Sequence, residues 1–425
     1  MNLKITTKKY NIGLSIKISK MNKTKTTLVD LILYSLLLVA TPFIMLQNYL
    51  QLSIAFFSRA NFHLGNISIP YILLIALAII LFLFFKFRKL LNKKRILSLS
   101  FIILLVFAGH SVSDFYLNMK FYDLQQNWHY IAYGIFSFLM YRYCKTKNTL
   151  PNKIILRTLL VAVSLSTFDE LFQLFLSSRT FDISDISKDL WGAIIGIVFV
   201  FFVIENPVVL KNKSQIQFDK LKNYPKNTFS VIFYSLILSF IFLICSSLLS
   251  EIKYSIIAIL ITIFVFSTIF FIIHFLQYKT FRRLFTFFFI IATITQAIFF
   301  IKYKDKNIVY NSNGITVYKG IVIPYFDILI KPSGCFRLVD KKQIFNKTDI
   351  FTIFDYSSDI ILIGRGVHGR GGEGLPAPYE VQFLFNPKSK KMVQVINLKN
   401  KQACAEYNKL KAEGKNVVFI IHNTD

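Results

Sequence analysis

Between Phe168 and Gly196 the chain sets Asp169, Glu170, Gln173, Arg179, Asp182, Asp185 and Asp189 at the edge of hydrophobic sequence, closed by Gly192 and Gly196. Glu170 and Gln173 are three apart and project from one face of a helix, with Asp169 roughly 100° away. Such a face must turn toward protein or water, because a charge against lipid costs roughly 2.5 to 3.5 kcal/mol. Arg179 stands where the chain leaves the apolar layer, and a guanidinium there reaches back to a carboxylate. Asp189 opens the next apolar stretch, near a helix N-terminus that favours an anion. Gly192 and Gly196, at i and i+4, let a second helix approach closely. His129 begins another apolar stretch at the matching membrane face. His129, Glu170, Gln173, Arg179, Asp185 and Asp189 are therefore expected to form one polar pocket. It could hold a polar ligand, move protons between Glu170 and Asp185, or only fix helix register through hydrogen bonds.

The elements that must position these residues are apolar. Of 425 residues 54% are hydrophobic, Phe occurs 46 times and mean hydropathy is +0.52, which excludes an ordinary soluble globule. Apolar stretches near 28–47, 70–86, 97–112, 128–143, 156–176, 190–204, 229–248, 254–277 and 284–301 predict an all-α membrane bundle of about nine transmembrane helices. The formal charge is +28, but 26 Lys and Arg fall in five alternate connecting segments and 5 in the four between them. This is the positive-inside pattern, with the N-terminus cytoplasmic and the first stretch an uncleaved anchor. No dense basic face remains for nucleic acid, which is not expected as a partner. Cys144, Cys245, Cys335 and Cys404 are isolated, so neither a metal nor a redox cofactor is expected.

From Lys302 the pattern changes to short β-prone runs with Gly and Pro. Strands are expected at 315–318, 320–325, 335–339, 359–363, 380–385, 392–396 and 417–422. A helix over 400–413 carries Ala403, Ala405, Tyr407 and Leu410 and ends at Gly414. This predicts a compact C-terminal α/β domain. The resulting division is a basic tail (1–27), two helices (28–96), a membrane core (97–204), a polar loop (205–227), three further helices (228–301) and the α/β domain (302–425). Gly364, Arg365, Gly366, His368 and Arg370 follow a strand. The Gly and Pro residues after Arg370 exclude the helix a dinucleotide fingerprint needs, leaving only a weak anion-binding loop. His422 reads as a packed strand-end residue, since no partner can be assigned beside it.

Asn127-Trp128-His129-Tyr130, then Glu170-Leu171-Phe172-Gln173, Arg179, Asp185 and Gly192-Ala193-Ile194-Ile195-Gly196 resemble the VanZ-like family over about 97–204. Gln125-Gln126 stand where that family usually has an Asp-Lys pair, and Asp189 where it usually has Asn. The resemblance implies a bacterial cell-membrane protein affecting teicoplanin-type glycopeptide susceptibility through an outward-facing pocket. Its expected partners are membrane lipids and a lipid-linked cell-wall precursor. A transporter using Asp169 or Glu170, and a membrane enzyme acting on a lipid-linked substrate, stay open as alternatives. The stretch 315–425, through Ile360-Ile361-Leu362-Ile363-Gly364, Ala403 to Leu410 and Glu413-Gly414, resembles the Mth-like domain family, which implies a fold and no reaction. The protein partner of this domain is not legible.

Overall fold

The structure, a computed structural model, describes residues 26–45, 53, 56, 60–64, 67–88, 91–113, 124–176, 181–205, 220–339, 341, 353–369, 381–387 and 389–423. Among these the chain is mostly helical, with a sheet-containing C-terminal part. It divides into two compact units, residues 1–111 with 120–243, and residues 112–119 with 244–425.

The first unit contains α1 (Leu28–Met45), a short hairpin of β1 (Asn61–Leu64) and β2 (Ile67–Pro70), and α2 (Tyr71–Phe87). It continues with α3 (Lys93–Ser113), α4 (Leu124–Thr146), α5 (Pro151–Gln173) and α6 (Ile183–Val198), and takes in most of α7 (Thr228–Leu248). A wider π-helical turn, Phe199–Ile204, prolongs α6. The second unit carries the end of α7, then α8 (Ser255–Phe275), α9 (Lys279–Tyr303) and the C-terminal sheets.

Each stretch expected to be apolar and helical falls on a helix, but nine crossings are more than the structure supports. Among the described residues five helical segments are long and apolar enough to cross a membrane: Lys93–Ser113, Ile183–Ile204, Thr228–Leu248, Ile252–Phe275 and Lys279–Tyr303. The other four fall short for physical reasons. The apolar part of α1 is the shorter Leu28–Thr41, and α2 has only 17 residues. Helix α4 opens on Gln125, Gln126, Asn127 and His129, and α5 carries Lys153, Arg157, Asp169 and Glu170.

Helices α4, α5 and α6 form the centre of the first unit. Small residues bring α4 and α6 together: a Cβ at Gly196 would lie 2.6 Å from the Gly134 carbonyl oxygen, and one at Gly192 2.7 Å from that of His129. The Ser137 hydroxyl donates to the Ala193 carbonyl at 2.9 Å across the same seam. Trp191 is fully buried, its indole N–H donating to the Leu105 carbonyl at 3.0 Å, and Gly109 leaves the room this ring occupies. At the other end of the seam, Glu205 is bonded by the Tyr141 hydroxyl and the Lys145 ammonium. Glu205 is thus a paired residue rather than one held only by solvent.

Among the described residues the C-terminal part has two sheets. A three-stranded antiparallel sheet contains β3 (Ile308–Ser312), β4 (Ile315–Tyr318) and β5 (Ile321–Pro324). The larger sheet contains β6 (Asp327–Ile330), β7 (Phe336–Val339), β8 (Ile360–Gly364), β9 (Val381–Asn386), β10 (Lys391–Leu398) and β11 (Val417–Ile421). Its order is β7-β6-β11-β8-β10-β9, with β8 parallel to both β10 and β11 and the remaining pairs antiparallel. Strands β6, β8 and β11 are buried on both faces, which explains why, apart from Asp327 and Gly364, they consist of Ile, Val, Leu and Phe. Helix α10 (Asn400–Ala412) packs Ala403, Cys404, Tyr407 and Leu410 on one face, against Leu362 and Phe419. Cys404 takes the place expected for Ala405, which is exposed. Gly414, at φ +74, closes the helix in the left-handed conformation.

Burial pushes the Cys404 thiol up to about 12, so almost none of it is thiolate near neutrality. Cys335 is exposed. A maleimide at pH 8 is expected to modify Cys335 in the folded protein and to reach Cys404 only after denaturation. Equal labelling of both, followed by mass spectrometry, would contradict the packing of α10.

Candidate functional site

The site forms where the beginnings of α4 and α6 meet the end of α5. Helix α6 starts on Asp182, whose carboxylate accepts from the Ser184 N–H at 2.8 Å and satisfies one of the free amides of the first turn. Burial and the neighbouring Asp185 carboxylate push the Asp182 carboxyl above its ordinary value.

Nearly two turns into α6, Asp189 is buried and has both oxygens engaged. Oδ1 accepts from His129 Nδ1 at 2.8 Å and Oδ2 from the Ser166 hydroxyl at 2.6 Å. One carboxylate therefore ties α4, α5 and α6 together. It also fixes the imidazole orientation, leaving His129 Nε2 3.8 Å from Asp185 Oδ1. The same Asp185 oxygen accepts from Lys188 Nζ at 2.7 Å. His129, Asp185 and Lys188 keep 25%, 22% and 14% of their side-chain surface accessible, against 5% for Asp189, so they form the open rim of the cluster.

Glu170 and Gln173 lie deeper, both buried. Gln173 donates to Glu170 Oε1 at 2.9 Å and to Asp169 Oδ2 at 3.2 Å, while Glu170 Oε2 accepts the Asp182 N–H at 2.7 Å. Asp169, Glu170, Asp182, Asp185 and Asp189 lie close enough for each to feel the charge of others in the set. Among the described residues, five carboxyl groups thus face one lysine and one imidazole.

Of the expected pocket residues, the structure brings His129, Asp185 and Asp189 together and joins Glu170 to Gln173. Arg179 lies outside the described residues. Sequence reasoning did not single out Ser166 or Lys188. Lys188 was findable, since it is three residues after Asp185 on a helix that opens with aspartates. Ser166 carried no signal before the helices were packed.

Chemically, the His129–Asp189 pair is a base held by a carboxylate, the arrangement that sets an imidazole to accept a proton at Nε2. The Ser166 hydroxyl bonds the carboxylate and not the imidazole, so it is not placed as a nucleophile. Among the described residues no group of three His, Cys, Asp or Glu is arranged to hold a metal ion.

In the C-terminal domain, Gly364, Gly366 and Asn400 hold the loop after β8. Asn400 Oδ1 accepts the Gly366 N–H at 2.9 Å and its Nδ2 donates to the His422 carbonyl at 2.6 Å. A Cβ at Gly364 would lie 2.6 Å from Asn400 Oδ1. The Arg365 N–H is taken by the Leu398 carbonyl at 2.9 Å. Two amides that an anion would have used are therefore already engaged. His368 lies in this loop at Gly369, and Arg370 is outside the described residues. The expectation that His422 lacks a partner is corrected: its Nδ1 lies 2.8 Å from Asp327 Oδ2, and Lys341 Nζ lies 3.3 Å from Asp327 Oδ1. The partner was missed because β6, which begins with Asp327, was not recognised as a strand.

Residues 14–206 match the family model VanZ/LLP1. No curated protein matches the chain. A solved structure titled MT938 is similar at 19% identity, covering 28% of this chain and 98% of that one, with a TM-score of 0.22. The VanZ/LLP1 match and the long apolar helices fit a multi-pass membrane protein.

Proposed function

We propose that the chain is a VanZ-like protein of the bacterial inner membrane that lowers susceptibility to teicoplanin-type glycopeptides, using the cluster at the start of α6 as an outward-facing pocket. In this reading the membrane part crosses nine times from a cytoplasmic N-terminus, with α1, α2, α4 and α5 completing the bundle. The C-terminal domain is an Mth-like module. The pocket accepts the polar part of an envelope lipid or a lipid-linked cell-wall precursor.

The observation that carries the reading is the rim of His129, Asp185 and Lys188 above a buried, fully bonded Asp189. A network serving only helix register has no need of a partly accessible lysine and imidazole. A membrane enzyme is the second reading, favoured by the carboxylate behind His129.

The rim can be removed without disturbing the buried pair. Asp185→Asn combined with Lys188→Gln is expected to abolish any protection against teicoplanin that the wild type gives to a susceptible host, at unchanged membrane abundance. Protection equal to wild type in the double variant would discard the pocket. Equal susceptibility of wild type and empty vector would discard the resistance role.

A further inference from the structure

No residue of helix α9 is buried, and Ile298, Phe300 and Ile301 are among its exposed side chains. An apolar helix of 25 residues in this state is long and apolar enough to cross a bilayer, and it is read as a crossing. Near its C-terminal end, however, it meets the small sheet. Gln296 Nε2 donates to the Gly320 carbonyl at 2.8 Å, and a Cβ at Gly320 would lie 2.7 Å from Phe300 Cα and 3.0 Å from the Phe299 carbonyl oxygen. The turn between β4 and β5 thus rests directly on the α9 backbone.

The depth of that contact is informative. Gln296 precedes Ile301, the end of the apolar run, by five residues, which at 1.5 Å each is roughly 7 Å inside the layer. An amide there needs a partner, and the Gly320 carbonyl supplies it. The residues that follow the turn suit such a position: Ile321 and Val322 are exposed, as are Val309 and Tyr310 on β3. Lysines surround them. Lys302 and Lys306 stand over the Tyr303 ring at 5.3 and 5.7 Å, Lys319 over Tyr318 at 5.5 Å, and Lys304 caps α9. Lysines beside tyrosines at a span end are the arrangement of a membrane interface facing anionic headgroups.

A second contact agrees. The Lys341 N–H donates at 3.1 Å to the carbonyl of Leu248, the last residue of α7. With α7, α8 and α9 each read as a crossing, the return through α8 puts the ends of α7 and α9 on the same face of the membrane. The domain therefore bonds a backbone carbonyl of α7 and a side-chain amide of α9.

We propose that the β4–β5 turn, with Ile321 and Val322, is seated in the boundary between acyl chains and headgroups of the bilayer that α9 crosses, with Lys302, Lys304, Lys306 and Lys319 against anionic lipid headgroups. This rests on reading α9 as a crossing helix. The C-terminal domain is then a lipid-contacting part of the membrane protein and not a module on a free tether.

The test uses the full chain carrying Cys335→Ser, reconstituted in phosphatidylcholine–phosphatidylglycerol vesicles. Single cysteines replace Ile321, Asn313 or Phe289 and carry an environment-sensitive fluorophore. Asn313 is in the opposite turn of the same sheet, roughly 20 Å away along β4. Phosphatidylcholine with a nitroxide near the headgroup is expected to lower emission at 321 about twofold and to leave 313 unchanged, the depth expected of an interfacial segment. A nitroxide deep in the acyl chain is expected to quench 289. Quenching at 289 without quenching at 321 would overturn the proposal and keep α9 in the membrane. No lipid quenching at 289 would overturn the reading of α9 and the proposal with it.

Discussion

Replacing Gly196 by alanine is expected to open the α4–α6 seam, lowering stability by about 1–3 kcal/mol. The three nearest atoms to the new Cβ are the Gly134 carbonyl oxygen at 2.6 Å, Gly134 Cα at 2.8 Å and Ser137 Cβ at 2.8 Å. None is the far end of a flexible side chain, so the helices themselves must separate. That strains the Ser137 to Ala193 hydrogen bond and, further along the same seam, the 2.8 Å approach of His129 to Asp189. Gly134→Ala is the control, because its nearest such neighbour is the Gly192 carbonyl oxygen at an ordinary 3.8 Å. Thermal unfolding in detergent, followed through the emission of buried Trp191, should show a depressed midpoint for Gly196→Ala and little change for Gly134→Ala. Equal midpoints would mean that the helices are not packed through their glycines.

The second large effect belongs to Asp189. Asp189→Leu removes the acceptor for both His129 Nδ1 and the Ser166 hydroxyl at a buried position. At about 0.6–1.7 kcal/mol for each hydrogen bond inside a membrane protein, the expected loss is about 1–3 kcal/mol. Asp189→Asn keeps an acceptor for the imidazole N–H, and its amide can donate to the Ser166 hydroxyl, so its midpoint should stay near that of the wild type. The two variants separate hydrogen bonding from charge. If leucine and asparagine were equally tolerated, the pair would not be holding α4, α5 and α6 together.

Much of this architecture was legible because it is written in local patterns. The apolar stretches placed the helices, and alternation with Gly and Pro placed β4, β5, β7, β8, β9, β10, β11 and α10 close to where they lie. Strand β6 was missed because Asp-Ile-Leu-Ile is too short and too uniformly apolar for a period of two to appear. Among the described residues four of the nine expected crossings fall below the length and apolarity of a span, α4 and α5 because of the polar residues those helices also carry. At the site, the residues on helix faces were legible from spacing. His129 and Asp189 were expected in one pocket, but their direct hydrogen bond was not legible, since it depends on glycines whose packing partner no spacing names.

Strand β11 follows every other strand of its sheet in the chain, yet it sits between β6 and β8 and bonds to both. During synthesis the halves of that sheet on either side of it leave the ribosome with an unfilled slot between them. The domain can close only when Val417–Ile421 arrives, so its final fold is acquired after, and not during, the translation of its earlier strands.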